Sequence, residues 1–261
     1  KDVWVGLVKK RKIGYFALLR NLRNIIEQAP EVVNEALVML TDEKLIKKSL
    51  VLPFRFTTAF DEIAKLTDGK IVRQVLMALN KAVDIAVSNV PVFDGETLVV
   101  LDVSGSMQGK PAQIGSLFSA VLIKSNNADF MVFADNAAYR NVNPMDSTIT
   151  IANSIRFASG GTNFQAIFNT ANKKYDRVVI LSDMQGWVGY NAPTVQFNAY
   201  KQRVGANPFL YSFDLNGYGS MQFPEQNVFA IAGFSEKIFD IMKLMEVDKK
   251  ALVNTIKQVE L

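Results

Sequence analysis

The stretch Leu98-Val99-Val100-Leu101-Asp102-Val103-Ser104-Gly105-Ser106-Met107 decides how the rest of the chain is read. An apolar run, half of it β-branched, meets an acidic residue, and two hydroxyls then alternate around a glycine. Such a pattern predicts a buried strand that feeds a polar turn. In an open α/β sheet the carboxyl end of a strand is where ligands bind, so the turn is a candidate site. One carboxylate and two hydroxyls in Asp-x-Ser-x-Ser suit a hard cation that takes oxygen ligands.

From Glu96 onward, apolar strands alternate with helical segments. Strands are expected at 128–134, 139–142, 178–181, 209–213 and 228–231, and helices from Pro111, over 149–157, 164–171 and 192–203, and between Glu236 and Val259. The fold class is therefore α/β, a doubly wound and mostly parallel sheet covered on both faces. Two further polar spots follow the same logic. Gly160-Gly161-Thr162 puts a hydroxyl on a glycine loop, and Asp183 follows the run Val178-Val179-Ile180-Leu181 just as Asp102 follows its own. With the strands as neighbours, Asp102, Ser104, Ser106, Thr162 and Asp183 meet at one sheet end. Five oxygens with two carboxylates fit Mg²⁺, or Mn²⁺ or Ca²⁺, rather than zinc or copper.

Residues 1–91 read differently, as an all-α segment. Tyr15, Phe16, Leu18, Leu19, Leu22, Ile25 and Ile26 recur at helical spacing and predict one amphipathic helix over 13–26. Further helices are expected after Pro30, around Leu45, over 54–66 and over 71–87, with Thr41-Asp42 as a stop and restart. Short connections between consecutive helices suggest a helical array without a clean internal repeat. Residues 92–261 form the second domain.

Composition narrows the chemistry. At 49% hydrophobic and 21% charged, the 261 residues make a globular chain rather than a disordered one. Cys and His are both absent, which removes thiolate chemistry, zinc sites and the Ser-His-Asp hydrolases. A Walker-type phosphate loop is missing too, so no enzyme is expected. No apolar run reaches the ~18 residues of a membrane span, and the start at Lys1 is neither an initiator Met nor a signal peptide, so a cytoplasmic chain that begins inside a longer one is expected. Residues 1–90 carry 15 Lys and Arg against 10 Asp and Glu, whereas 91–261 carry 14 against 15. The basic excess tilts the first third toward an anionic partner, although solvated helix faces carry similar charge. Its candidates are Lys9, Lys10, Arg11 and Lys12, the pair Arg20 and Arg23 on one helix face, and Lys47 and Lys48 beside Lys44. Trp187, near Asp183, is read as packing against its own domain, and Met107, Met131 and Met184 as core or rim filler.

Asp102-Val103-Ser104-Gly105-Ser106, Gly160-Gly161-Thr162 and Ser182-Asp183 together resemble the metal-ion-dependent adhesion site of von Willebrand factor A domains. The earlier part is similar to the end of the TROVE module of Ro ribonucleoproteins. Leu18-Leu19-Arg20-Asn21-Leu22, Lys44-Leu45-Ile46-Lys47-Lys48 and Pro53-Phe54 carry that resemblance, in order, although Leu52 stands where the family commonly has His. The resemblance implies HEAT-like helices that bind small structured Y RNAs and the single-stranded ends of misfolded RNAs, in RNA quality control. It also implies metal-ligand roles for Asp102, Ser104, Ser106, Thr162 and Asp183. A full ring of that family needs several times the helix found before Pro91. The second reading is an adhesion module in which a protein partner's carboxylate completes the Mg²⁺ shell; no membrane partner is implied.

Overall fold

The computed structural model describes residues 2–67, 69–186, 192–217, 227–232 and 237–247. Contacts divide the chain into two compact units, residues 1–90 with 147–149, and residues 91–146 with 150–261.

The first unit is helical throughout its described residues. Its helices are α1 (Asp2–Lys9), α2 (Tyr15–Arg20), α3 (Leu22–Gln28), α4 (Val33–Leu40), α5 (Glu43–Ser49), α6 (Thr57–Ala64) and α7 (Lys70–Ala86). Single 3₁₀ turns that begin at Pro30 and Pro53 lead into α4 and α6, using proline's fixed φ at a helix start. α7 is the packing post of the unit. Val72, Val75, Leu79, Ala82, Val83 and Ala86 are spaced three and four apart and all buried, and this face meets α4, α5 and α6. The helix ends are finished by side chains. The Asp42 carboxylate accepts from the Lys44 and Leu45 amides at 3.0 and 3.1 Å, while the Asn89 amide donates to Ile46 O and Val51 O at 3.1 and 2.7 Å. Among described residues no helix is long and apolar enough to cross a membrane.

The helix expected over 13–26 is two helices. At Asn21 the backbone leaves helical values (φ −113°, ψ 13°), and the side-chain amide donates to Ala17 O at 2.8 Å, which offers the chain an alternative to the regular ladder. Arg20 therefore ends α2 and Arg23 lies in α3, rather than both on one continuous helix. α1 carries no signal strong enough to have been expected.

The second unit is a six-stranded sheet in the order β3-β2-β1-β4-β5-β6. Its strands are β1 (Thr97–Asp102), β2 (Asp129–Phe133), β3 (Ala137–Tyr139), β4 (Arg177–Ser182), β5 (Phe209–Asp214) and β6 (Val228–Ala232). Every pairing is parallel except β2 with β3. β1 and β4 are buried along their whole length, which is why both read as unbroken apolar runs. The edge strand lies a few residues earlier than the expected 139–142. Its helices are α8 (Lys110–Asn126), α9 (Thr148–Ser154), α10 (Phe164–Thr170), α11 (Pro193–Val204) and α12 (Ile238–Val247). Leu98, Val100, Met131, Phe133, Val178 and Ile180 pack on one face with Phe164 and Phe168 of α10 and Tyr200 of α11. α8 covers β1, and Gly115 permits close approach: a Cβ there would lie 2.6 Å from Leu101 Cδ1. The terminal segment expected as helical is α12 up to Val247; residues 248–259 lie outside the described residues, as does Trp187.

At the amino end of β4, Arg177 is buried. It donates to Glu246 of α12 through Nε at 2.5 Å and through a second guanidinium nitrogen, and to Thr97 Oγ1 at 2.7 Å, with the Phe93 ring 4.5 Å away. The Tyr211 hydroxyl also lies 3.1 Å from Glu246 Oε1, and burial, then Glu246, push its pKa up. A buried ion pair with all three guanidinium nitrogens engaged ties α12 to the sheet. Breaking such a pair leaves an uncompensated charge and costs about 3–5 kcal/mol. Glu246→Ala is expected to destabilise the A unit by that order in urea unfolding; a cost below about 1 kcal/mol would show that the pair does not hold α12.

Candidate metal centre

β1 has β2 on one side and β4 on the other, and the three connections leaving this end of the sheet carry the predicted oxygens. This is the switch point of a doubly wound sheet, where the strand order reverses. Asp102 and Ser182 end adjacent parallel strands, and the structure gathers all five predicted residues around them.

Asp102 is buried and held at both oxygens. Oδ1 accepts from the Ser104 amide at 2.8 Å and Oδ2 from the Ser182 hydroxyl at 2.6 Å. Burial pushes its carboxyl above the ordinary carboxylate range. The hydrogen bonds from Ser104 and Ser182 oppose this, and the charge of Asp183 adds to it. Beside it stands a short chain of hydroxyls. Thr162 Oγ1 lies 3.0 Å from Ser104 Oγ, which lies 3.3 Å from Ser106 Oγ. Ser104 and Thr162 are buried, whereas Ser106 is exposed.

Asp183 completes the set. Its Oδ1 accepts a long bond from the Gln185 amide at 3.4 Å, while Oδ2 is buried with no hydrogen-bond partner. The next residue, Met184, adopts φ +57°, a left-handed conformation that non-glycine residues rarely take. Its amide donates to Ser182 Oγ at 3.0 Å, and its sulfur accepts from Ser212 Oγ at 3.3 Å. The surrounding bonds thus hold the backbone in a costly conformation that leaves a carboxylate oxygen unpaired, as functional sites often do. Its side chain packs in the buried core, as expected, while its backbone shapes the turn.

Two positioning residues stand outside the predicted ligand set. Asp135, just after β2, accepts the Gly161 amide on Oδ1 at 3.0 Å, and its own carbonyl accepts from the Asn163 side-chain amide at 3.1 Å. A Cβ on Gly160 would fall 2.8 Å from Asp135 Oδ2, so that glycine is needed for the carboxylate to reach its partner. Asp135 in this way anchors the loop that presents Thr162. Ser182 is the second, through its bond to Asp102.

The donors fit a hard divalent cation. Asp183 Oδ2 is an orphaned buried anionic oxygen, and the hydroxyl chain supplies neutral oxygens beside it. Among described residues no three His, Cys, Asp or Glu side chains gather, so the donor set rests on hydroxyls as well as carboxylates. Ser104, Ser106, Thr162 and Asp183 are the residues that would hold the ion. With both Asp102 oxygens already hydrogen-bonded, that residue keeps only its remaining lone pairs for the ion or its waters.

Of the predicted basic residues, Arg11 and Lys48 line one pocket and Arg20 and Arg23 another. Lys9, Lys10, Arg11 and Lys12 lie at the end of α1 and in the turn after it. Arg11 and Lys48 line one pocket of about 340 Å³, with Tyr15, Leu18, Met39 and Leu45 among its walls. Arg11 also approaches Asp42 at 3.9 Å. Arg20 and Arg23 line a smaller pocket with Arg55. Arg23 is engaged by Glu27 at 3.2 Å and Glu62 at 3.0 Å, and Lys47 by Glu43 at 2.7 Å.

Fold and site together define a helical array joined to a von Willebrand factor A-like domain. Residues 1–69 match the TROVE domain. The chain is 28% identical over 228 residues to the RNA-binding protein RO60 of Deinococcus radiodurans, covering 76% of this chain and 42% of that protein. The crystal structure of the Deinococcus radiodurans Ro protein has the same fold, with a TM-score of 0.72 at 23% identity, covering 89% of this chain and 53% of that one. The chain is thus similar to Ro proteins in its helical segment and in its fold, and it spans about half the length of the relatives it matches.

Two outcomes follow from this geometry. Without divalent cations, Asp183→Asn removes one of two neighbouring buried carboxylates and is expected to stabilise the domain, because the charge of Asp183 acts against its buried neighbour Asp102; a clear fall in its unfolding midpoint in chelator would contradict the site as described. Asp135→Ala should speed hydrogen exchange at the Gly161 amide while leaving the Ala158 amide, bonded to Val103 O at 2.8 Å, protected. Equal protection of Gly161 in both proteins would show that Asp135 does not hold the loop.

Proposed function

We propose that this chain binds RNA, taking small structured RNAs of the Y RNA kind or the single-stranded ends of misfolded RNAs in RNA quality control, and that its A domain holds Mg²⁺. The observation that carries the RNA reading is the TROVE match over residues 1–69, the segment that also holds the basic excess. Within it Arg11 and Lys48 flank an apolar pocket with a tyrosine, a setting in which cations meet phosphate and a ring can rest on apolar walls. Lys9, Lys10 and Lys12 add charge along the same turn. A non-enzymatic role in the cytoplasm accompanies this reading, for which the absence of His gives support.

The Mg²⁺ reading rests on the unpartnered Asp183 Oδ2 beside three hydroxyls. When bound, the ion supplies positive charge and open coordination positions at the rim. Ser106 is exposed while the other four site residues are buried, so the open side faces outward. That observation favours a second reading, in which a protein partner's carboxylate completes the shell.

Binding of a hairpin RNA and of a single-stranded RNA across a salt titration tests the proposal. Log affinity should fall linearly with log salt, and Arg11→Gln and Lys48→Gln should each reduce the slope by about 1. Binding no stronger than that of a neutral control protein rejects the RNA reading. For the metal, Mg²⁺ at about 100 times its Kd should add ~2.7 kcal/mol of stability to the wild type and nothing to Asp183→Ala.

A further inference from the structure

The A unit carries a second pocket at the other edge of its chemistry. It measures about 220 Å³ and opens beside β2 and β3. Phe130 and Val132 of β2 form its floor. They alternate with Met131 and Phe133, which belong to the core around α10, so they face the opposite side of the sheet. Val142 and Ile155 add apolar wall. Two arginines line the same space, Arg140 just beyond β3 and Arg156 just beyond α9. The Arg140 backbone is fixed by its amide, which donates to Phe130 O at 2.9 Å.

Neither guanidinium has a hydrogen-bond or ion-pair partner among the described residues, and no carboxylate lines the pocket. This sets the pair apart from Arg23 and Arg177, whose charges are met by Glu27 and Glu62 and by Glu246. General basicity does not explain it, because residues 91–261 carry a net charge of −1. Two like charges sharing one pocket repel, and an anion between them turns that cost into charge-assisted hydrogen bonds. A guanidinium's planar fork matches a phosphate's oxygens in particular.

We propose that this pocket binds the phosphate of a single nucleotide between Arg140 and Arg156, with the base or sugar lying on Phe130, Val142 and Ile155. The volume is below the ~300–1,000 Å³ of drug-sized ligand sites, so the occupant is one nucleotide unit rather than a duplex. Asn141 brings an amide that donates and accepts, as a base edge requires. The phosphate chemistry comes from the arginines; the choice of a nucleotide over other phosphate esters rests on the RNA reading.

Calorimetric titration of the full chain with uridine 5′-monophosphate, inorganic phosphate and uridine tests it at low salt. Uridine monophosphate should bind tighter than either fragment, and Arg140→Gln and Arg156→Gln should each weaken it at least about tenfold with unchanged unfolding midpoints, since both side chains are exposed. Arg11→Gln with Lys48→Gln should leave this binding intact while lowering RNA affinity. Uridine monophosphate no tighter than inorganic phosphate, or equal affinity in wild type and both arginine variants, overturns the proposal. Arginine-dependent nucleotide binding in a chain that fails to bind RNA would leave this pocket standing and reject the RNA function instead.

Discussion

The structure depends on two carboxylates buried side by side at the carboxyl end of β1 and β4. Asp102 is pinned at both oxygens by Ser104 and Ser182, while Asp183 keeps one oxygen without a partner. Burying charge in this way is costly unless something compensates it. The same strand solves the opposite problem at its other end, where Arg177 is buried but paired with Glu246 and hydrogen-bonded to Thr97. β4 thus begins in a satisfied ion pair, which holds α12, and is followed by an unsatisfied carboxylate. Stability is concentrated at the amino end of the sheet and binding capacity at the carboxyl end.

Three connections cooperate to keep that carboxylate available. The β1 turn carries Ser104 and Ser106, the glycine loop carries Thr162, and the β4 turn is locked by the left-handed Met184. Asp135 ties the glycine loop to the end of β2, so β2 contributes to the site without supplying a ligand. A cation placed there meets hydroxyls already 3.0 and 3.3 Å apart rather than having to gather them.

Much of this was legible in the residues. Unbroken apolar runs named β1 and β4 because both faces of a parallel sheet are covered, and the acidic residues at their ends named the site. The helical stripes of α4 to α7 followed from spacing and from proline at the entries. What stayed hidden depends on contacts far along the chain. Arg23 looks free in sequence, and it is neutralised by Glu62, 39 residues later. Asp135 looks like an ordinary turn residue, and its role comes from Gly161, 26 residues on. Asn21 broke a helix through its own side chain, which periodicity does not register. β3 is a three-residue edge without a distinct apolar pattern, so its register slipped by a few residues.

The likeness to Ro proteins and the geometry at the sheet end meet in the proposal that a divalent cation is held at the switch point by neutral hydroxyls and one free carboxylate oxygen. Anomalous diffraction from crystals of this chain grown with Mn²⁺ tests it most directly. The account predicts a single strong peak within coordination distance of Ser104 Oγ, Ser106 Oγ or Thr162 Oγ1 and beside Asp183 Oδ2, bonded directly or through water. A peak elsewhere, or none at saturating Mn²⁺, would contradict it.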